Sequence, residues 1–149
     1  MAAKIKGPHL AAAVLCEKVL QEKDGVLSLI RVFDRIIHTV EGPQVPAKMP
    51  PVPITLTAFL SFKSGTAKGR RTVTIKVNSP SGARIDGPSL PVLFEGEDRG
   101  VNLIVNLALQ AEHEGLYWID VLLDDRVITR MPLMVVYRRI SSGTSTASD

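Results

Sequence analysis

The sequence predicts an all-β fold: a single β-sandwich of about eight mostly antiparallel strands. Apolar residues recur at every second position, and the strand formers Val, Ile, Leu and Thr cluster into runs. Gly, Pro, Asp and Ser bound these runs, as they do between short strands. With 149 residues, 45% of them hydrophobic, the chain is long enough to bury one core. A small barrel is the competing interpretation.

The first two predicted strands form a hairpin. One strand occupies residues 10–20, Asp24 and Gly25 favour a tight turn, and a second long strand occupies residues 26–38. Five prolines follow within residues 43–53. Because proline has no amide hydrogen to donate, this segment cannot join a central ladder. We expect it to be an extended crossover between two sheets.

Four segments in the middle of the chain are predicted to be strands. Residues 54–63 and 72–78 are predicted to be half-buried strands. Between them, residues 64–71 are rich in Gly, Lys and Arg, which predicts a mobile hairpin tip. A short strand is expected over residues 90–94, and residues 101–109 place an apolar residue at every second position of a longer one.

The last nine residues differ from the rest of the chain. Residues 141–149 consist of Ser, Thr, Gly, Ala and Asp, and they include no large apolar side chain. Such a segment cannot offset its own ordering entropy by burial. The sequence therefore predicts a sandwich domain over residues 1–140 and a flexible tail over residues 141–149.

The predicted closing hairpin carries the most specific pattern. The run Gly-Leu-Tyr-Trp-Ile-Asp at residues 115–120, with a turn at Asp124 and Asp125 and a strand over residues 126–137, is similar to the closing hairpin of immunoglobulin-like and C2-like sandwiches. In those folds a tyrosine at this place hydrogen-bonds back across a corner.

A second resemblance joins the two ends of the chain. Together with this hairpin, the block that contains Leu15-Cys16-Glu17, Leu27-Ser28-Leu29-Ile30 and Phe33-Asp34 resembles a family of small bacterial proteins known only as a domain of unknown function. The resemblance implies a β-sandwich of bacterial or phage origin with no assigned chemistry. It carries over no functional residues.

Charge and cysteine content exclude several classes of protein. The formal net charge is +3, from 18 Lys and Arg against 15 Asp and Glu, which is too small for a dedicated nucleic-acid binder. The single cysteine, Cys16, excludes an internal disulfide framework and a cysteine-rich zinc site. Residues 1–8 lack the apolar run of a signal peptide, and no stretch is apolar enough to span a membrane. We expect a cytoplasmic protein without membrane contact.

No pattern of catalytic residues stands out. The sequence has no Gly-x-Ser-x-Gly motif, and His9, His38 and His113 are widely separated. Cys16 lies in the middle of a predicted strand, where a small core residue is expected. The sequence therefore predicts a non-enzymatic protein with no cofactor and no catalytic or metal-binding residues. A remote alternative is a hydrolase whose site assembles from separate loops.

Two groups of charged residues leave alternatives open. Acidic residues in predicted turns would form a calcium site only if the turns met at one end of the sandwich. These are Asp86, Glu95, Glu97, Asp98, Asp124 and Asp125. The predicted basic hairpin from Lys63 to Arg71 offers Lys68, Arg70 and Arg71 as an anion-binding site. Polyanion or nucleic-acid binding through this hairpin is the alternative function.

Surplus hydrophobic residues give the main functional hypothesis. If Tyr117 faces the core, alternation sends Leu116, Trp118 and Leu122 to the outer face, and it sends Ile104 outward on the preceding strand. An antiparallel sheet needs only one dry face. We therefore expect a protein-interaction surface anchored by Trp118, in a homo-oligomer or a larger assembly. Internal cover of these side chains by the N-terminal strands is the competing interpretation.

Overall fold

The computed structural model describes residues 5–142, which form seven β-strands and no helix. The strands are β1 (His9–Gln21), β2 (Leu27–Val32), β3 (Arg35–Gly42), β4 (Val52–Asn78), β5 (Arg84–Ala111), β6 (Gly115–Leu123) and β7 (Arg126–Ser141). The predicted all-β sandwich is confirmed. In this part of the chain there is no helix that could span a membrane.

Two long strands connect the layers of the sandwich. β4 and β5 pair with each other along almost their whole length. The first half of β4 also pairs with β1, and its second half pairs with β6. One layer is thus β2-β1-β4-β5, and the other is β5-β4-β6-β7-β3. Both layers share β4 and β5, which bend from one into the other.

The predicted division of the middle segments was wrong. Residues 54–63 and 72–78 are two halves of β4, and residues 90–94 and 101–109 both belong to β5. Residues 64–71 are therefore the middle of a paired strand and not the tip of a hairpin. Glycine and charged residues resemble a turn in the sequence, but here they occupy a bend between the two layers.

The bend in β4 is held by the start of the chain. The β4–β5 register shifts between Lys63 and Gly65 and again between Gly65 and Lys68, where Gly65 adopts a positive φ of 58°. The carbonyl of Ile5 accepts a hydrogen bond from the amide of Thr66 at 3.1 Å. The N-terminal segment therefore supplies a backbone partner where the ladder is interrupted.

The long strand predicted over residues 26–38 is also divided. β2 pairs with β1 in antiparallel fashion, whereas β3 pairs with β7 in parallel. At the division, the Phe33 amide donates to Leu15 O at 3.0 Å, and Asp34 O accepts from the Met134 amide at 2.8 Å. Alternation continues through this point, but the hydrogen-bonding partner changes from one layer to the other.

The core lies between the layers and follows the predicted inner faces. Phe62 of β4 and Phe94 of β5 meet edge to face with ring centroids 5.8 Å apart. This contact packs the two halves of the sandwich against each other. Most residues that alternation places on the inner faces are buried, among them Val73, Ile75, Val77, Val105, Leu107, Ile119 and Val121, whereas Val101 and Leu103 are half-buried.

The proposed tail stays a prediction for most of its length. Ser141 is the last residue of β7 and pairs with Gly42 of β3. Residues 143–149 lie outside the described residues, and so does the N-terminal stretch over residues 1–4.

Truncation of a core isoleucine should destabilise the fold strongly. Ile119 is 1% exposed and belongs to the core cluster, so Ile119→Ala should lower the free energy of unfolding by about 2 to 4 kcal/mol through lost burial and a residual cavity. Ile104→Ala is the matched control, because the side chain of Ile104 is 44% exposed. Urea denaturation measures both. Equal losses for the two variants would contradict the assigned faces.

Candidate functional site

The outer face of the second layer carries exposed apolar side chains. Tyr117 points into the core, so Leu116 and Trp118 lie on the opposite side of β6. Trp118 is 39% exposed and Leu116 is half-buried. Across the ladder, Trp118 lies opposite Pro132 and Leu116 lies opposite Met134 of β7.

The same surface continues onto the edge strand. Val136 of β7 lies opposite Ile37 of β3. Ile37 is 51% exposed, while Val136 is half-buried. Six side chains on three adjacent strands therefore form one surface, which we call the apolar face. They are Leu116, Trp118, Pro132, Met134, Val136 and Ile37.

Two residues predicted for this surface lie elsewhere. Ile104 is exposed as expected, but it lies opposite Phe59 in the first layer, and its segment of β5 does not pair with β6. Leu122 is only 6% exposed. A register shift between Val121 and Leu122 breaks the strict alternation on which the prediction relied. The structure thus brings together Leu116 and Trp118 only.

A buried carboxylate organises charge beside the apolar face. Asp120 is 1% exposed and accepts a hydrogen bond from the Asn78 amide group at 3.0 Å. Arg130 approaches the carboxylate at 3.2 Å, and Arg84 approaches it at 3.8 Å. A buried charge needs such partners. Alternation alone predicts that Asp120 lies on the solvent side, so its burial could not be found from the sequence pattern.

Positive charges border the apolar face on several sides. Arg84 and Arg130 keep about half or more of their side-chain surface exposed while they contact Asp120, at 50% and 61%. Arg35 lies opposite Met134, and Arg138 follows Val136 on the same side of β7. Both are exposed. The surface therefore has an apolar centre and a cationic rim.

Tyr117 fixes the start of the strand that carries Trp118. Its hydroxyl donates a hydrogen bond to His113 O at 2.6 Å, across the corner that precedes β6. Burial raises the pKa of the Tyr117 phenol. The local hydrogen bond is the one that the closing-hairpin resemblance implied. It anchors β6 where Leu116 and Trp118 emerge.

The predicted anion-binding residues occupy a paired strand. Lys68 lies opposite Glu95, and Arg70 lies opposite Leu93. Arg71 forms an ion pair with Asp124 at 3.1 Å. The predicted basic hairpin is thus wrong as a structure, because these residues lie within β4 and pair with β5.

The predicted acidic turns do not converge. Asp86 lies opposite Lys76, far along the ladder from the Lys68–Glu95 pair. Asp124 is engaged by Arg71 on another strand. Residues 5–142 contain no group of three or more His, Cys, Asp or Glu side chains that could hold a metal ion.

One cleft holds potential catalytic side chains. A cavity of about 390 Å³ is lined by Ser79, Ser81, Glu112 and His113, among others. The two serine hydroxyls lie 2.7 Å apart and bond each other. Within the described part of the chain, no hydrogen bond joins the His113 ring to either hydroxyl, whereas a serine nucleophile requires an adjacent base.

Burial also raises the pKa of the Cys16 thiol, which disfavours its thiolate.

The fold is that of an all-β sandwich. Residues 11–136 match a family of unknown function, DUF6941, and the chain belongs to that family. The family resemblance found in the sequence is confirmed. No curated protein matches the chain.

Two solved structures resemble the chain at low sequence identity. The CARDB domain of the PF1109 protein from Pyrococcus furiosus, in complex with di-metal ions, has a TM-score of 0.41 at 10% identity, covering 91% of this chain and 95% of that one. An immunoglobulin-like protein, PA1606, from Pseudomonas aeruginosa has a TM-score of 0.35 at 12% identity, covering 90% of this chain and 99% of that one.

The Asp124 contacts predict an acid-sensitive contribution to stability. The Thr72 amide, followed by Arg71, holds the pKa of the Asp124 carboxyl below its ordinary value. A lowered native pKa stabilises the fold above about pH 4, and this stabilisation is lost as the pH falls through the lowered value. Asp124→Asn should therefore weaken the decline of stability under acid conditions.

Urea denaturation between about pH 7 and pH 2 measures this decline. Asp125→Asn is the matched control, since it removes the neighbouring exposed carboxylate. An identical pH dependence in the wild type and in Asp124→Asn would contradict the assignment.

Proposed function

We propose that this protein is a non-enzymatic binding or structural module that joins a protein assembly through its apolar face. The observation that carries the proposal is the exposure of Trp118 and Ile37 on the outer side of a layer whose inner side is already packed in the core. A sheet of this kind needs only one dry face. Contiguous apolar groups within a polar rim are typical of protein-interaction surfaces.

The charges around the apolar face define the chemistry of the partner. Arg35, Arg84, Arg130 and Arg138 favour a protein surface with an apolar centre and Asp or Glu at its periphery. Arg84 and Arg130 are already oriented by Asp120. Because these side chains are partly ordered before binding, less conformational entropy is lost when an acidic partner arrives.

Trp118 is the expected energetic anchor of the contact. A tryptophan that becomes fully desolvated at the centre of an interface contributes on the order of 2 kcal/mol or more, whereas flanking aliphatic groups contribute less. Its position on β6 is fixed by the Tyr117 corner and by the cross-strand neighbour Pro132. A rigid position of this kind suits a residue that anchors an interface.

The alternative, polyanion binding through Lys68, Arg70 and Arg71, has less support. Glu95 and Asp124 lie beside two of these cations, so the segment presents little uncompensated charge to a phosphate backbone.

We also propose a reducing cytoplasmic setting, for which the support is a lone, buried and unpaired cysteine.

Site-specific photo-cross-linking in the native cells tests the apolar face. A benzophenone amino acid replaces Trp118 in one variant and Ile104 in the other, which is a matched control because both side chains are exposed but lie on different layers. We expect a discrete cross-linked band at position 118 and none at position 104. The cross-linked peptide should contain an apolar segment flanked by Asp or Glu. Equal yields at both positions, or a peptide without acidic residues, would contradict the proposal.

A further inference from the structure

The second layer ends in an unprotected edge. β3 pairs with β7 on one side, and no described strand pairs with its other side. The pairing runs without a register shift over Arg35–Gly42, which contains neither Pro nor Lys. Proteins usually protect free edges with bulges, prolines or lysines because an open, regular edge can pair with another chain.

The hydrogen bonds to β7 identify the backbone groups that stay free. Asp34 O accepts a hydrogen bond from Met134 of β7, and Gly42 O accepts one from Ser142, directly after β7. The even-numbered residues of β3 therefore direct their backbone groups to β7. The odd-numbered residues therefore direct theirs to the open edge. These residues are Arg35, Ile37, Thr39 and Glu41, and all four are exposed.

Neighbouring segments leave this edge accessible. The loop after β3 turns away from it, since Pro46 O accepts a hydrogen bond from the Tyr137 hydroxyl at 2.9 Å and Val45 O accepts one from Arg139 at 3.3 Å. Beside the start of β3, an open groove of about 720 Å³ reaches Ile37. An incoming strand therefore has room to approach.

We propose that a second copy of this chain pairs with β3 in antiparallel fashion, in a two-fold register centred on His38. Arg35 then lies opposite Glu41 of the second copy, and Ile37 lies opposite its Thr39. The four odd-numbered residues of each copy form about eight backbone hydrogen bonds. Two symmetric ion pairs close the ends of the contact.

Charge complementarity selects this register. In a two-fold pairing, each side chain on the outer face lies opposite another side chain on the outer face. Only those shifts of register that preserve this arrangement are allowed. Such a step in either direction removes the contact between Arg35 and Glu41. Neither side chain forms an ion pair within residues 5–142, so both are available to a second copy.

The other edges are less suited to pairing. β2 has only six residues and contains Arg31 at a φ of 56°, which distorts its end. β5 contains Pro88 and Pro91 and shifts register against β4 at three places. β3 is the regular edge among the described strands.

Edge pairing goes beyond the proposed function and engages Arg35 and Ile37, but it leaves the part of the apolar face on β6 open. The two second layers join side by side, so both outer faces lie on the same side of one continuous sheet. Each copy of Trp118 stays exposed, and the dimer presents two apolar faces to a partner. The dimer and the partner contact can therefore be tested separately.

Charge reversal tests the register. We expect the wild-type chain to sediment at about twice 16.2 kDa at micromolar concentration. Arg35→Glu and Glu41→Arg should each raise the dimer dissociation constant about tenfold or more, because like charges then lie opposite each other. An equimolar mixture of these two variants should restore the dimer. In the mixed dimer, one ion pair is re-formed with its original charges, and the other is re-formed with the two charges exchanged. Arg138→Glu, on the neighbouring strand, is the matched control and should leave the mass unchanged.

Three results would overturn this inference. The first is a monomeric wild type at about 100 µM, and the second is a wild-type dissociation constant in both single variants. The third is a mixture that stays monomeric although both variants keep the wild-type circular dichroism spectrum. None of these results alters the cross-linking expected at position 118, so failure of the dimer and failure of the partner contact can be told apart.

Discussion

The hydrogen-bonded ladder between β4 and β5 is the constraint on which the rest of the fold depends. These strands have 27 and 28 residues, and each contributes to both layers. The bend at Gly65 sets how the layers face each other, and the contact between Phe62 and Phe94 fills the space behind it. The shorter strands then add to one half of the ladder or the other. A local bend thus fixes the geometry of the whole sandwich.

This architecture directs function to the outside of the second layer. The core is closed by inward rows from both layers, so the outer side chains on β6, β7 and β3 are free for contact with another protein. Asp120 and Tyr117 make that surface rigid, one by orienting two arginines and the other by fixing the corner before β6. An open strand edge borders the same surface. The proposed partner contact and the proposed dimer therefore use adjacent parts of one layer, which share Arg35 and Ile37 of β3.

The sequence predicted the local features well, because they depend on neighbouring residues. The turn at Asp124 and Asp125, the Tyr117 corner and the buried rows follow from turn chemistry and alternation. Alternation does not reveal which strand accepts a hydrogen bond. The change of partner at Phe33 and Asp34 was therefore missed, as was the continuity of β4 through Gly65.

The placement of the surface residues shows the same limit. Alternation correctly sent Ile104 and Trp118 outward, but only the pairing of β5 with β4 reveals that they lie on different layers. The apolar partners of Trp118 on β7 and β3 could not be found before the parallel β3–β7 pairing was known. Burial of Asp120 likewise depends on arginines that are distant in sequence.

Amide hydrogen exchange along β3, measured by NMR at low and high protein concentration, tests most directly whether the second layer continues into another chain. In the dilute protein, the amides of His38 and Val40 should be protected by β7, and those of Ile37 and Thr39 should exchange rapidly. At high concentration all four should become protected. Rapid exchange of Ile37 and Thr39 at both concentrations would contradict the account.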